Sequence, residues 1–152
     1  MKKWLWAFPA LLLLIQFFQI DKTNPPADPS KDYLTAAMAP PETAALIKAA
    51  CYDCHSNQTK YPWYSYVAPV SWLLRDHIVE GREHLNFSEW TAYPAAKKAE
   101  KLEECGEMVS EGEMPMYSYV WLHPEANLSA AQQSQLAAWF GQEGESSEST
   151  DD

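Results

Sequence analysis

The residues with chemical potential in this chain are concentrated in one pentapeptide, Cys51-Tyr52-Asp53-Cys54-His55. Residues three and four apart share a helix face, so both thiols can reach one flat ligand while the following imidazole turns toward its centre. This is the attachment signature of c-type haem, with two thioethers to the vinyl groups and an imidazole on the iron. Two other chemistries use the same residue types. A zinc site completed by His55, His77, His84 or Cys105 would want a second closely spaced ligand pair, which is missing. A thioredoxin-like dithiol needs strands, and no stretch alternates as a strand does. One covalently bound haem c is therefore the expected cofactor.

Iron held by His55 has one further position, and soft thioether sulfur is a common ligand there when haem transfers electrons. Glu113-Met114-Pro115-Met116-Tyr117 offers it. Pro115 biases Met114 away from helical geometry, so Met114 is the expected sixth ligand. Met116 can face the same side of an extended loop and stays a candidate, and flexible core packing is the ordinary role of both. His77 and His84, seven residues apart on one helix face, are rival ligands or else hydrogen-bonded core histidines. Cys105 is left over, either a small buried hydrophobe or the half of a disulfide between two chains.

Helices must position these groups. The apolar spacing predicts one over 40–51, opened by Pro40 and Pro41 and delivering Cys51 at its end. A second covers about 69–85, with Val70, Leu73, Leu74, His77, Ile78, Gly81, His84 and Leu85 inward. A third covers about 94–110 and stops at Gly112. The last opens on Ser129 and Gln132, spaced as a capping box, and carries Leu136, Trp139 and Phe140. The fold class is all-α.

Residues 4–20 are almost unbroken apolar sequence after Lys2 and Lys3, short for a spanning helix and without a nearby small-residue cleavage site. Residues 1–20 are accordingly expected to be an uncleaved signal anchor with the basic end inside and everything later exported. Signal cleavage, giving a soluble periplasmic protein, is the alternative. Residues 21–39, with Pro25, Pro26 and Pro29 among polar residues, are expected to be a stalk. Residues 40–141 form the folded domain and 142–152 a disordered acidic tail.

A chain of 152 residues with formal charge −10 holds one modest core. From Asp21 onward nine Lys or Arg face twenty-one Asp or Glu, a net of −12, so nucleic acid is excluded as a partner. The acidic surface instead steers the domain toward a partner with a basic patch. Seven Trp, eight Tyr and five Phe are many for this length and predict an aromatic wall around a large flat group, with Trp63, Tyr64, Tyr66, Trp72 and Trp90 as its members. Donors to the haem propionates are sought in Lys60, Tyr61, Trp72, Arg75 and Arg82, and the second nitrogen of His55 is expected to meet a carbonyl near Pro62 or Pro69.

Several separated segments, in order, resemble the bacterial haem-binding domain family, a group of small exported single-haem proteins related to cytochrome c. They are Cys51 to Asn57 with Tyr61-Pro62-Trp63-Tyr64-Ser65, then Pro69-Val70-Ser71-Trp72, Asp76-His77, Glu80 through Trp90, Gly112-Glu113-Met114-Pro115 and Leu122-His123-Pro124-Glu125-Ala126. The likeness extends back to Asp21-Lys22-Thr23-Asn24-Pro25-Pro26. It implies a cytochrome c-like helical fold, covalent haem on Cys51 and Cys54, His55 as proximal ligand and Met114 as distal ligand. The expected function is a membrane-tethered single-haem c-type cytochrome in the bacterial inner membrane, passing single electrons between exported redox proteins on the periplasmic side, and not an enzyme. A haem sensor with an open or displaceable sixth position is the alternative, and a peroxidase-like enzyme with a distal histidine ranks below it.

Overall fold

The computed structural model describes residues 4–148. Its helices are α1 (Trp4–Ile15), α2 (Tyr33–Ala36), α3 (Pro41–Ala50), α4 (Tyr52–His55), α5 (Val70–His84), α6 (Ala95–Glu111), α7 (Tyr117–Val120) and α8 (Ala130–Glu148). Short 3-10 turns join them, and there is no strand among the described residues.

The four long helices of the domain start and stop where local chemistry dictates. Pro41 occupies the first turn of α3, where its missing N–H costs nothing. Gly112 ends α6 in the left-handed region at φ 75°, which allows the amides of Glu113 and Met114 to return to the Met108 carbonyl at 3.0 and 3.1 Å. Before α8, the Ser129 amide donates to Gln132 Oε1 at 2.8 Å and the Gln132 amide to Ser129 Oγ at 3.3 Å, a reciprocal cap. Helices α6 and α8 pack antiparallel, because Gly106 meets Ala137 and Phe140 while Ala99 and Leu102 meet Gly144. Phe140, Leu136, Leu102 and Val109 are buried between them and α3, each apolar side chain contributing about 1.5–3 kcal/mol.

Three segments differ from expectation. The N-terminal apolar run does not form one helix through residue 20. Helix α1 ends at Ile15 after 12 residues, about 18 Å against a hydrocarbon core of about 30 Å. Among the described residues no helix is long and apolar enough to cross a membrane. Gln16 diverts the chain: its side-chain amide donates to the Ala68 carbonyl at 2.9 Å and accepts from the Ala68 amide at 3.0 Å.

Residues 21–39 are not a free stalk. Asn24 donates to the Thr59 carbonyl at 2.9 Å, Asn57 donates to the Pro26 carbonyl at 3.1 Å, and Arg82 reaches Asn24 Oδ1 at 2.9 Å. Tyr33 is fully buried, edge-on to Trp90 with centroids 4.9 Å apart and accepting from Trp139 Nε1 at 2.9 Å. Prolines here set an extended path along the domain, and one aromatic residue anchors it.

The acidic tail is helical as far as Glu148, because Gly144 packs on Leu102 and Ala99 of α6 and the turn of Glu143 to Ser147 stays against that helix. Residues 149–152, the end of the expected tail, and residues 1–3, the basic end of the expected anchor, lie outside the described residues.

Candidate functional site

The pentapeptide is bent at Cys51. That residue has φ −124° and separates α3 from α4, yet its carbonyl still accepts from the His55 amide at 2.9 Å. The two intervening residues hold the bend in place. Tyr52 stacks on Phe87 with centroids 5.4 Å apart and donates to Asp32 Oδ1 at 2.8 Å. Asp53 accepts from the Lys60 amide at 2.9 Å through Oδ1 and from the Tyr119 hydroxyl at 2.8 Å through Oδ2. The spacer side chains thus point away from the thiols and tie the motif to α2 and α7.

Helix α5 supports the motif from the other side. A side-chain carbon at Gly81 would lie 3.0 Å from the Cys54 carbonyl oxygen, so the α4 turn comes this close because the residue is glycine. The Gly81 carbonyl is 2.8 Å and the Leu85 carbonyl 3.2 Å from His55 Nδ1. Carbonyls only accept, so Nδ1 carries the hydrogen and Nε2 keeps its lone pair. Burial holds the His55 pKa below its ordinary value, opposed by those two backbone bonds, and the ring is neutral. One residue further on, Arg82 Nε donates to the Ser56 carbonyl at 2.8 Å and its Nη2 to Thr59 Oγ1 at 3.0 Å, clamping the chain beyond His55 onto α5. The carbonyl acceptors are therefore at the C-terminal end of α5, where the Gly81 oxygen also accepts the Leu85 amide at 2.9 Å, and not near Pro62 or Pro69.

Cys51, Cys54 and His55 open onto a cavity of about 310 Å³. Its other walls come from α5, α6, the loop after Gly112 and α8. Met114, Met116, His77, His84 and Cys105 all line it, so the structure gathers every candidate ligand that the sequence offered. Met114 and Met116 are both half-buried, whereas His84 is exposed and, with Glu80 and Glu104, forms a polar rim. All three cysteines are free thiols. Burial pushes the Cys51 thiol up to about 12 and the Cys54 thiol up to about 11, and Cys105 is raised by burial as well. Such thiols are protonated at neutral pH, the opposite of an activated redox dithiol. Among the described residues no group of three or more His, Cys, Asp or Glu is arranged to hold a metal ion, as a zinc site would require.

The expected aromatic wall is elsewhere. None of Trp63, Tyr64, Tyr66, Trp72 and Trp90 lines the cavity; its aromatic members are Phe87, Tyr119 and Phe140. Trp90 is in the core beside Tyr33, and Trp63, Tyr66 and Trp72 reach the surface. The expected propionate donors are also committed elsewhere. Arg82 holds the Ser56 loop, Trp72 donates to the Phe18 carbonyl at 2.8 Å, Arg75 pairs with Asp76 on the surface, and neither Lys60 nor Tyr61 lines the cavity.

Three residues that support the site were not recognised in advance. Gly81 could have been, since glycine inside an amphipathic helix costs about 1 kcal/mol and asks for a packing reason. Asp53 and Tyr119 carried no such signal, because their pairing spans 66 residues.

The donor set fits an iron porphyrin. It combines two thiols three residues apart, a neutral imidazole with a free lone pair, and thioether sulfurs in a cavity walled by Ala50, Leu85, Phe87, Val109 and Phe140. A family model described as a haem-binding domain matches residues 10–142 of this chain. No curated protein and no solved structure matches it.

Proposed function

This chain belongs to the haem-binding domain family, and from that membership we propose that it is a single-haem c-type cytochrome that carries one electron at a time between exported redox proteins. The observation that carries the proposal is His55, whose Nδ1 is bonded to the carbonyls of Gly81 in α5 and of Leu85 just after it, so that Nε2 is a fixed, neutral ligand on a ring lining the cavity.

Bound haem supplies a one-electron iron couple. The chain's residues do the rest. Cys51 and Cys54 would hold the haem through two thioethers, each thiol adding across one vinyl double bond with its hydrogen going to the neighbouring carbon, so that no oxidant would be consumed. Met114 offers its sulfur from a loop whose start is set by the left-handed Gly112. Ala50, Leu85, Phe87, Val109 and Phe140 exclude water, which lowers the local dielectric and raises the potential. The acidic surface favours a partner with a basic patch, and their association weakens as salt screens it.

In this reading the domain works on the periplasmic side of the bacterial inner membrane, attached through the apolar residues of α1. A sensor is the second reading, favoured by His77 and His84 on the same cavity, where either could displace a sulfur ligand.

The test is a thiol count on the denatured, haem-loaded chain, combined with a haem stain of a denaturing gel. Three cysteines become one free thiol, Cys105, if both thioethers have formed, and the stain stays with the chain. Three free thiols and a colourless band refute covalent attachment. Prompt, stoichiometric carbon monoxide binding by the reduced protein would refute the carrier in favour of the sensor.

A further inference from the structure

The stretch from Tyr61 to Leu74 contains no Asp, Glu, Lys or Arg, in a chain where 21% of residues are charged. Val70, Leu73 and Leu74 were expected to pack inward and Trp63, Tyr64, Tyr66 and Trp72 to wall the cofactor, but several of them do not. Trp63 is 74% exposed, Tyr66 59% and Leu73 60%, with Val67 and Val70 exposed beside them. These residues belong to the 3-10 turn Trp63–Tyr66, to Val67 that caps it, and to the first turn of α5. Scattered apolar residues need no explanation, whereas a contiguous uncharged patch of this kind marks an interaction surface.

The patch is joined to the N-terminal apolar segment. Gln16 is bonded twice to Ala68, Trp72 Nε1 donates to the Phe18 carbonyl at 2.8 Å, and Lys22 Nζ sits 4.3 Å over the Tyr66 ring. Leu11, Leu13, Leu14, Phe17 and Phe18 are themselves exposed. An apolar helix bare on nearly every side and an uncharged aromatic turn thus form one surface, and both need the same apolar surroundings. Trp and Tyr are the residues enriched where hydrocarbon meets headgroups, with an apolar body and a polar tip.

We propose that the face of the folded domain formed by Trp63, Tyr66, Val67, Val70 and Leu73 rests on the lipid bilayer, so that the domain is held against the membrane surface. This rests on the membrane attachment through α1 proposed above and adds a second, independent contact. It fixes which side of the domain faces lipid, and the remainder of its acidic surface is left for a partner. The five residues of this face are themselves uncharged, with Lys22 beside it over Tyr66, so contact through their apolar side chains requires no anionic lipid.

The test is hydroxyl-radical footprinting of the full chain on phosphatidylcholine vesicles, after flotation has separated bound from free protein. Met38, 86% exposed and outside the patch, is the solvent reference, with each rate normalised to that residue's intrinsic reactivity. Trp63 and Tyr66 should be protected several-fold relative to Met38, and the double variant Val70→Glu and Leu73→Glu, both at exposed positions, should lose that protection while still floating. A chain that floats yet oxidises at Trp63 and Tyr66 as fast as at Met38 overturns the docking face and leaves the α1 attachment intact. A chain that does not float overturns both. Protection that rises with protein concentration at fixed lipid would identify a second copy of the chain as the occupant and overturn the proposal.

Discussion

The carbonyl oxygen of Gly81 is 2.8 Å from Nδ1 of His55, and the bare α-carbon of the same glycine lets the Cys54 backbone approach α5. One residue therefore sets both the proton position on the imidazole and the distance between the two elements that carry the site. In a solvent-exposed helix, glycine to alanine would stabilise by about 1 kcal/mol. Here the added carbon meets a backbone oxygen at 3.0 Å, and overpacking costs about 1–3 kcal/mol. Gly81→Ala should thus lower the urea midpoint and the yield of haem-stained chain. A raised midpoint with full staining would show that α4 and α5 are not in contact as described.

Met114 and Met116 both line the cavity, and a substitution at each separates them. If Met114 is the sixth ligand, Met114→Ala abolishes the weak ferric charge-transfer band of sulfur ligation and opens the reduced protein to carbon monoxide. Met116→Ala leaves both properties unchanged. The reverse pattern assigns Met116, and an unchanged pair assigns His77 or His84.

Tyr33 tests whether residues 21–39 belong to the domain. Its ring is within 5.2 Å of Phe87 and 4.9 Å of Trp90, centroid to centroid, and its hydroxyl accepts from Trp139. Removing a buried aromatic ring costs about 3–5 kcal/mol, so Tyr33→Ala should move the denaturation midpoint far down. An unaltered midpoint is what a solvated stalk would give.

Glu143 links stability to pH. It is half-buried on α8 in a hollow shared with Tyr33 and Lys98, and burial raises its pKa above 4.5. The folded state therefore binds the proton more tightly than the unfolded chain. This contribution to stability is complete below the unfolded pKa and is lost as pH rises through the folded value. Glu143→Gln should remove that slope in a stability–pH curve and raise stability at neutral pH; an unchanged slope would mean the carboxyl is fully solvated.

Much of the fold could be read from local features. The long helices α3, α5, α6 and α8 begin within about a residue of their expected starts, because prolines, a capping box and a left-handed glycine act over one turn. The candidate ligands were legible for a similar reason: thiols and imidazole at fixed spacing have few other uses. What could not be read were partners distant in sequence. Asp32 with Tyr52, Tyr119 with Asp53 and Trp139 with Tyr33 are 20, 66 and 106 residues apart, and nothing local announces them.

The aromatic residues mark the boundary between the two kinds of information. Their number was plain from composition, and the close spacing of Cys51, Cys54 and His55 was enough to make them candidate ligands. Which rings line the cavity depended on how α5 sits on α4, a matter of one glycine and two carbonyls. Packing sent Tyr33 and Trp90 into the core and left Trp63, Tyr66 and Leu73 outside. Burial is a property of the assembled helices, so an identical side chain can be core, cavity wall or exposed surface according to what its helix meets.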